Sequence, residues 1–130
     1  MSDMTSRVIL ALAAALPGVR IIPPNMRKRE RCVVYRVHPA KSEGTMRSER
    51  IELRFVAESL AEARRMYRRV REAIVSDGDA AKVGTGMESV VIREVGEGGG
   101  SGYIIKTGLY FVSAGFLAMG YDQSEEGGEA

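Results

Sequence analysis

The stretch "RIELRFVAESLAEARRMYRRVREAI", residues 50–74, switches its hydrophobic period from two to about 3.6 with no linker between. From Ser48 onward, Ile51, Leu53, Phe55 and Ala57 fall on one side and Glu52 and Arg54 on the other. That alternation predicts a strand with one wet face, the usual state of an antiparallel sheet. Ser59 stands three residues before Glu62, the spacing of a capping box. Leu60, Ala63, Tyr67, Val70 and Ile74, with Met66 beside them, then form the apolar stripe of a helix that runs to about Val75, with Asp77-Gly78 ending it. With no slack at Ser59, strand and helix should behave as one rigid unit, the helix folding straight back over the sheet.

The remaining segments are read in the same way. "RVILALAAALPG" reads as a helix with Thr5 or Ser6 as N-cap, Val8, Leu12 and Ala15 or Leu16 on one face, and a Pro17-Gly18 stop. The alternative is a cleaved secretory signal, against which Asp3 offsets Arg7 and removes the positive excess such signals carry. "VRIIPPNMRKRER" is a connection, because Pro23 and Pro24 suit neither helix nor central strand. Cys32 to His38 is a short strand closed by Pro39, and "AKSEGTM" is a loop turning at Gly44. "AAKVGTG" is a further connection. "MESVVIREV" and "YIIKTGLYFVSAGF" are two strands joined as a hairpin by "GEGGGSG".

The order is therefore helix, hairpin, helix, hairpin. It predicts a single α+β domain over residues 1–121, with an antiparallel sheet of about four strands and two helices packed on one face. Residues 122–130, "DQSEEGGEA", are acidic and Gly-rich and are expected to be disordered.

Composition narrows the function. The chain has 130 residues, 45% hydrophobic and 28% charged, with a net charge of +2, so only local patches could mark a polyanionic partner. No apolar run approaches the length of a membrane span. Cys32 is the only cysteine and His38 the only histidine, which excludes an intrachain disulfide and falls short of a zinc site. Cys32 is expected to be a buried structural thiol and His38 a strand-end residue. The two lie about 20 Å apart along one strand, too far for a nucleophile–base pair. Glu49 with Glu52, and Glu62 with Glu72, are expected on wet faces where ion pairing is ordinary. "GEGGGSG" lacks the lysine and hydroxyl of a phosphate loop. No catalytic, cofactor or metal-binding residue is assigned, and the chain is read as a non-enzyme.

The arginines are the remaining signal. Arg64, Arg65, Arg68 and Arg69 decorate the second helix, and Arg27, Lys28, Arg29 and Arg31 crowd the connection before the first long strand. These eight form the candidate interface. Glu58, Glu62 and Glu72 interleave with the helical arginines and no aromatic platform accompanies them, which favours a solvated face or a protein interface. The alternative is a small nucleic-acid-binding module that uses the arginine-rich loop and helix.

A short N-terminal helix ending "LPGVR", an apolar strand, "IELRFVAESLAEA" passing into an amphipathic helix, and two closing strands together resemble the tail terminator family of long-tailed bacteriophages and prophages. These proteins are also called tail completion or minor tail proteins. The resemblance spans about residues 5–117 and rests on element order and texture; it assigns no individual residue a role. It implies a virion structural protein that forms a ring, typically of six subunits, on the head-proximal end of the tail tube. Such a ring stops tube polymerisation and joins tail to head. Its implied partners are copies of itself, the tail tube protein and a head connector or completion protein, with DNA only passing through the lumen and no membrane. The implied location is the virion tail, and the host bacterial cytoplasm during assembly.

Overall fold

The computed structural model describes residues 3–24, 30–43, 46–75, 91–95 and 100–121. Their order is α1 (Asp3–Ala15), β1 (Arg20–Ile22), β2 (Cys32–Glu43), β3 (Met46–Ala57), α2 (Leu60–Ile74), β4 (Val91–Glu94), β5 (Ser101–Ile104) and β6 (Leu109–Tyr121). Among the described residues the fold is mixed α+β with two helices. Their single sheet has six strands rather than the four expected, in the order β1-β2-β3-β6-β4, with β5 also pairing with β6.

Both helices cover one face, as the alternation of β3 demands. Val33 of β2, Ile51, Leu53, Phe55 and Ala57 of β3, Ile92 of β4, and Ala114, Phe116 and Ala118 of β6 meet Val8, Leu12 and Leu16 with Ala63, Met66, Val70 and Ile74 in one core. Register explains the set: Val33 stands opposite Phe55, Phe55 opposite Val112, Leu53 opposite Ala114 and Ile51 opposite Phe116. Partners across antiparallel strands share a face, so one apolar phase propagates over the sheet. Tyr67 meets Phe55 edge-on, with centroids 5.9 Å apart.

α2 begins and ends as expected. Ser59 is extended and its hydroxyl accepts from the Glu62 amide at 3.1 Å, while the Val75 amide closes the last turn on Arg71 C=O. Only half of the capping box forms, because the Glu62 carboxylate reaches Arg31 and Arg65 instead of the Ser59 amide. α1 starts earlier than expected, at Asp3, so Thr5 is not a cap. It lies buried inside the helix, and its hydroxyl donates to Glu49 at 2.5 Å. Gly18, at φ 81, supplies the left-handed turn after Pro17 that only glycine adopts without strain.

Four further expectations need correction. First, residues 20–22 form a parallel edge strand against Cys32–Val34; three residues ahead of two prolines carry too little period to reveal it. Second, β2 does not stop at Pro39 but continues to Glu43 through a register shift between Pro39 and Lys41. At Pro39, β2 has no described neighbour on its β1 side, since β1 pairs only with Cys32–Val34, and such an edge is where a proline is tolerated. Third, "YIIKTGLYFVSAGF" is not one strand. It turns at residues 105–108, where the Thr107 and Gly108 amides both donate to Ile104 C=O and Gly108 takes φ 74. Ile105 sits on that turn, 87% exposed.

Fourth, "GEGGGSG" does not join a hairpin. β4 and β5 lie in succession along the same edge of β6. The Val95 amide donates to Gly115 C=O at 2.9 Å, and the Ser113 amide donates to Gly100 C=O at 2.7 Å. Ala114 alone separates these anchors on β6, whereas four residues separate them on the edge. Residues 76–90, which include the expected connection "AAKVGTG" and the first part of the expected strand "MESVVIREV", together with residues 44–45, 96–99 and 122–130, lie outside the described residues.

Candidate interaction surfaces

Of the eight candidate interface residues, Arg27, Lys28 and Arg29 fall outside the described residues. The other five surround one helix. Arg64, Arg65, Arg68 and Arg69 are exposed along the side of α2 opposite its buried stripe. Arg31, just before β2, reaches Glu62 at 2.8 Å, and Arg65 reaches the other oxygen of the same carboxylate at 3.2 Å. This exposed cluster ties the start of β2 to the first turn of α2, at the acidic position its dipole favours. Exposed pairs of this kind contribute about 0.2–1 kcal/mol each. Arg64, Arg68 and Arg69 remain directed to solvent.

Farther along α2, Tyr67 donates its hydroxyl to one Glu94 oxygen and Arg71 donates to the other at 2.9 Å. Glu94 belongs to the four-residue strand β4, so this carboxylate clamps the sheet edge to the helix. Burial, then the hydrogen bond to Glu94 and its negative charge, raise the Tyr67 phenol above its ordinary pKa, with Arg71 pulling the other way. Sequence reading placed Tyr67 in the apolar stripe but gave no sign of this clamp. Its partner lies 27 residues away and is chosen by sheet topology.

The face of the sheet that no described helix covers divides into two regions. At one end Ile22, Cys32, Val34, Val56 and Leu109 form a small second core, joined by Ile104 and Phe111. Cys32 is buried there, as expected of a structural thiol. The wet face expected of β3 is therefore wet only along part of its length. Beyond that cluster lies a depression of about 320 Å3 lined by Pro24, Arg36, Arg50, Glu52, Arg54 and Ser113, among others. Register brings the charges together: Arg36 faces Glu52 across β2 and β3, Arg54 faces Ser113, and Glu52 faces Gly115.

Three arginines thus line the depression beside a single carboxylate. Glu52 is shared, 3.5 Å from His38 Nε2 and 4.0 Å from Arg50 Nε, both exposed. The Arg54 guanidinium lies 4.4 Å above the Phe111 ring, which orients it without neutralising it. His38 is mid-strand and exposed, not at a strand end, because β2 outruns Pro39. Glu49 is not on this wet face at all. It is in phase with Ile51 and Leu53, and only 4% exposed beneath α1. None of Arg36, Arg50 and Arg54 was singled out from sequence; the signal was present as their alternation with apolar residues on two neighbouring strands.

Among the described residues, no group of three or more His, Cys, Asp or Glu side chains is placed to hold a metal, and no helix is long and apolar enough to cross a membrane.

No family model matches the chain, and no curated protein matches it. Among solved structures, the fold is similar to that of a chain in a structure titled "Virion of native gene transfer agent (GTA) particle". The identity is 15%, the TM-score 0.61, and the match covers 91% of this chain and 94% of that chain. At this identity the likeness is one of fold.

Proposed function

We propose that this chain is a structural subunit of a phage-type virion, a tail terminator that closes into a ring on the head-proximal end of the tail tube, ends tube growth and provides the seat for the head. The observation that carries the reading is the end-to-end correspondence of fold with a chain of a virion particle: 91% of one chain against 94% of the other. The order of elements in the sequence, which resembles the tail terminator family, supports the finer part of the reading.

Physical features support a role made of contacts. A head-to-tail ring needs two different, complementary patches on every copy. The arginine-bearing side of α2 and the open face of the sheet lie on opposite sides of the molecule, as such an arrangement requires. The one-residue step from Ala57 through Glu58 to the Ser59 cap holds the helix at a fixed angle to the sheet. That angle decides whether successive copies close or spiral. The partners are other copies in a ring of six, the tail tube protein, and a head connector or completion protein. The site of action is the virion tail, assembled in the host cytoplasm. Arg31, Arg64, Arg65, Arg68 and Arg69, with Arg27, Lys28 and Arg29, are proposed as its contact residues, arginine being favoured in interfaces.

The test is assembly. Light scattering behind a sizing column and negative-stain microscopy, with and without purified tubes of the cognate tail tube protein, should show rings or tubes capped at one end. A chain that stays monomeric and leaves tube length unchanged would refute the reading.

A further inference from the structure

We infer that copies of this chain join through an apolar contact, in which the turn at residues 105–108 of one copy seats Ile105 on the exposed side of α1 of the next. This deepens the ring reading, rests on it for the partner being a second copy, and adds to the charged surfaces named above.

Three large apolar side chains are left exposed among the described residues: Leu10 at 68%, Tyr103 at 53% and Ile105 at 87%. They fall into two patches of opposite relief. The first is the outer side of α1. No charged residue occurs from Val8 to Val19, and a helix that is apolar all round is ordinarily covered all round. α1 turns Val8, Leu12 and Leu16 into the core, with Ala11 and Ala15 packed beside them. Leu10, Ala13, Ala14 and Pro17 are left exposed, and the two alanines make a shallow place between the larger side chains.

The second patch is a projection. Tyr103 and Tyr110 pair across β5 and β6 with ring centroids 5.0 Å apart, and Ile105 stands on the turn beyond them. That turn is braced. The Thr107 and Gly108 amides donate to Ile104 C=O at 3.2 and 2.8 Å, and the Leu109 amide donates to the Thr107 hydroxyl at 3.3 Å. A β-branched side chain held in water on a rigid turn loses little freedom when a partner covers it.

Placement suits a head-to-tail contact. One row of the sheet runs Arg20, Cys32, Val56, Phe111, Gly102. Pro17 and Gly18 lead into this row at the β1 edge, and the turn projects past it at the β5 edge. The two patches therefore stand at the same end of the sheet but on opposite edges, four strand spacings or about 19 Å apart. They cannot meet within one copy. Copies related by rotation alone must meet at one level along the axis, and an axis running along the strands satisfies that condition. Charge agrees as well. Lys106 is exposed beside Ile105, whereas α1 has no basic residue in its last turn and Pro17 offers no amide to Ala13 C=O. A cation from a neighbour's turn complements the negative end of that helix.

The test uses the full chain, whose buried Cys32 is inert, as two single variants, Ala14→Cys and Ile105→Cys. Mixed and oxidised where rings or capped tubes form, they should give a disulfide-linked dimer containing one of each, and neither should link alone. The double variant should give a ladder of linked copies, because an internal bridge needs Cα atoms within about 7 Å. Ile105→Glu should keep the urea midpoint of unfolding and weaken self-association at least about tenfold in sedimentation. Rings that form without the mixed link would overturn the contact and leave the ring reading standing. Linked copies in open filaments would uphold the contact and overturn the ring. A chain that stays monomeric beside unchanged tubes would overturn both. An Ala14→Cys monomer that resists a water-soluble maleimide would also overturn the contact, since a segment of the same chain would then cover α1.

Discussion

The clamp between Tyr67, Arg71 and Glu94 makes the sharpest stability prediction. Tyr67→Phe removes one hydroxyl and keeps the ring against Phe55, so packing is preserved and the hydrogen bond to Glu94 is lost. A hydrogen bond to a charged group contributes about 1.5–3 kcal/mol, and the half-buried setting with Arg71 still in place argues for the lower end, about 1.5 kcal/mol. Glu94→Gln should cost about the same, because both donors lose their anion. If the two side chains act as a unit, the double variant should cost less than the sum, with a coupling of about 1 kcal/mol. Urea unfolding of the four proteins measures this directly. A second readout follows from the phenol. Its pKa is raised in the folded chain by burial and by Glu94, so the native state holds its proton above pH 10, where the unfolded chain has released it. The contribution is present in full below about pH 10 and is lost as pH rises through the folded pKa. The wild type should therefore lose more stability than Tyr67→Phe as pH rises above about 10. Additive single-site costs, or identical alkaline profiles, would refute the clamp.

Phe116→Ala opens a void between β6 and the helices at a fully buried site, and should cost about 3–5 kcal/mol in urea unfolding. Ser59→Ala removes the side-chain acceptor for the Glu62 amide and should cost about 1 kcal/mol, read by the same assay. Gly102→Ala would bring a methyl within 2.9 Å of the Phe111 ring that supports Arg54, so the ring must move and about 1–3 kcal/mol should be lost. A Gly-Ser insertion between Ala57 and Ser59 should leave the monomer folded yet broaden the size of its assemblies in negative stain; rings of unchanged size would count against the proposed role of that junction.

How much of this was legible depended on where the deciding contact lay in the chain. β3 and α2 were readable almost to the residue because their signals are local: alternation through Phe55, a serine cap, and a stripe ending at Ile74. β1 was hidden because a parallel edge strand of three residues takes its identity from Cys32–Val34, ten or more positions later. The turn at residues 105–108 was missed because Ile105, an apolar residue in strand phase, is exposed on it, while Gly108 was counted as a strand position. Glu49 was taken for a surface acid although its phase with Ile51 placed it inward. That phase was visible; the Thr5 hydroxyl that receives the carboxylate was not. The α2 arginines were found as a group, whereas the three arginines of the open face needed the register between β2 and β3 to be seen together.

The way the chain leaves the outer edge after Val95 and rejoins it at Gly100 has a practical consequence. Both departure points are pinned to β6 by backbone hydrogen bonds on either side of Ala114, so the gap between them is set by the sheet and not by what spans it. Lengthening the span adds only a logarithmic closure cost, about 0.6 kcal/mol per doubling. This is the position at which an epitope, a fluorophore or a foreign peptide can be spliced in while the fold on either side stays in register.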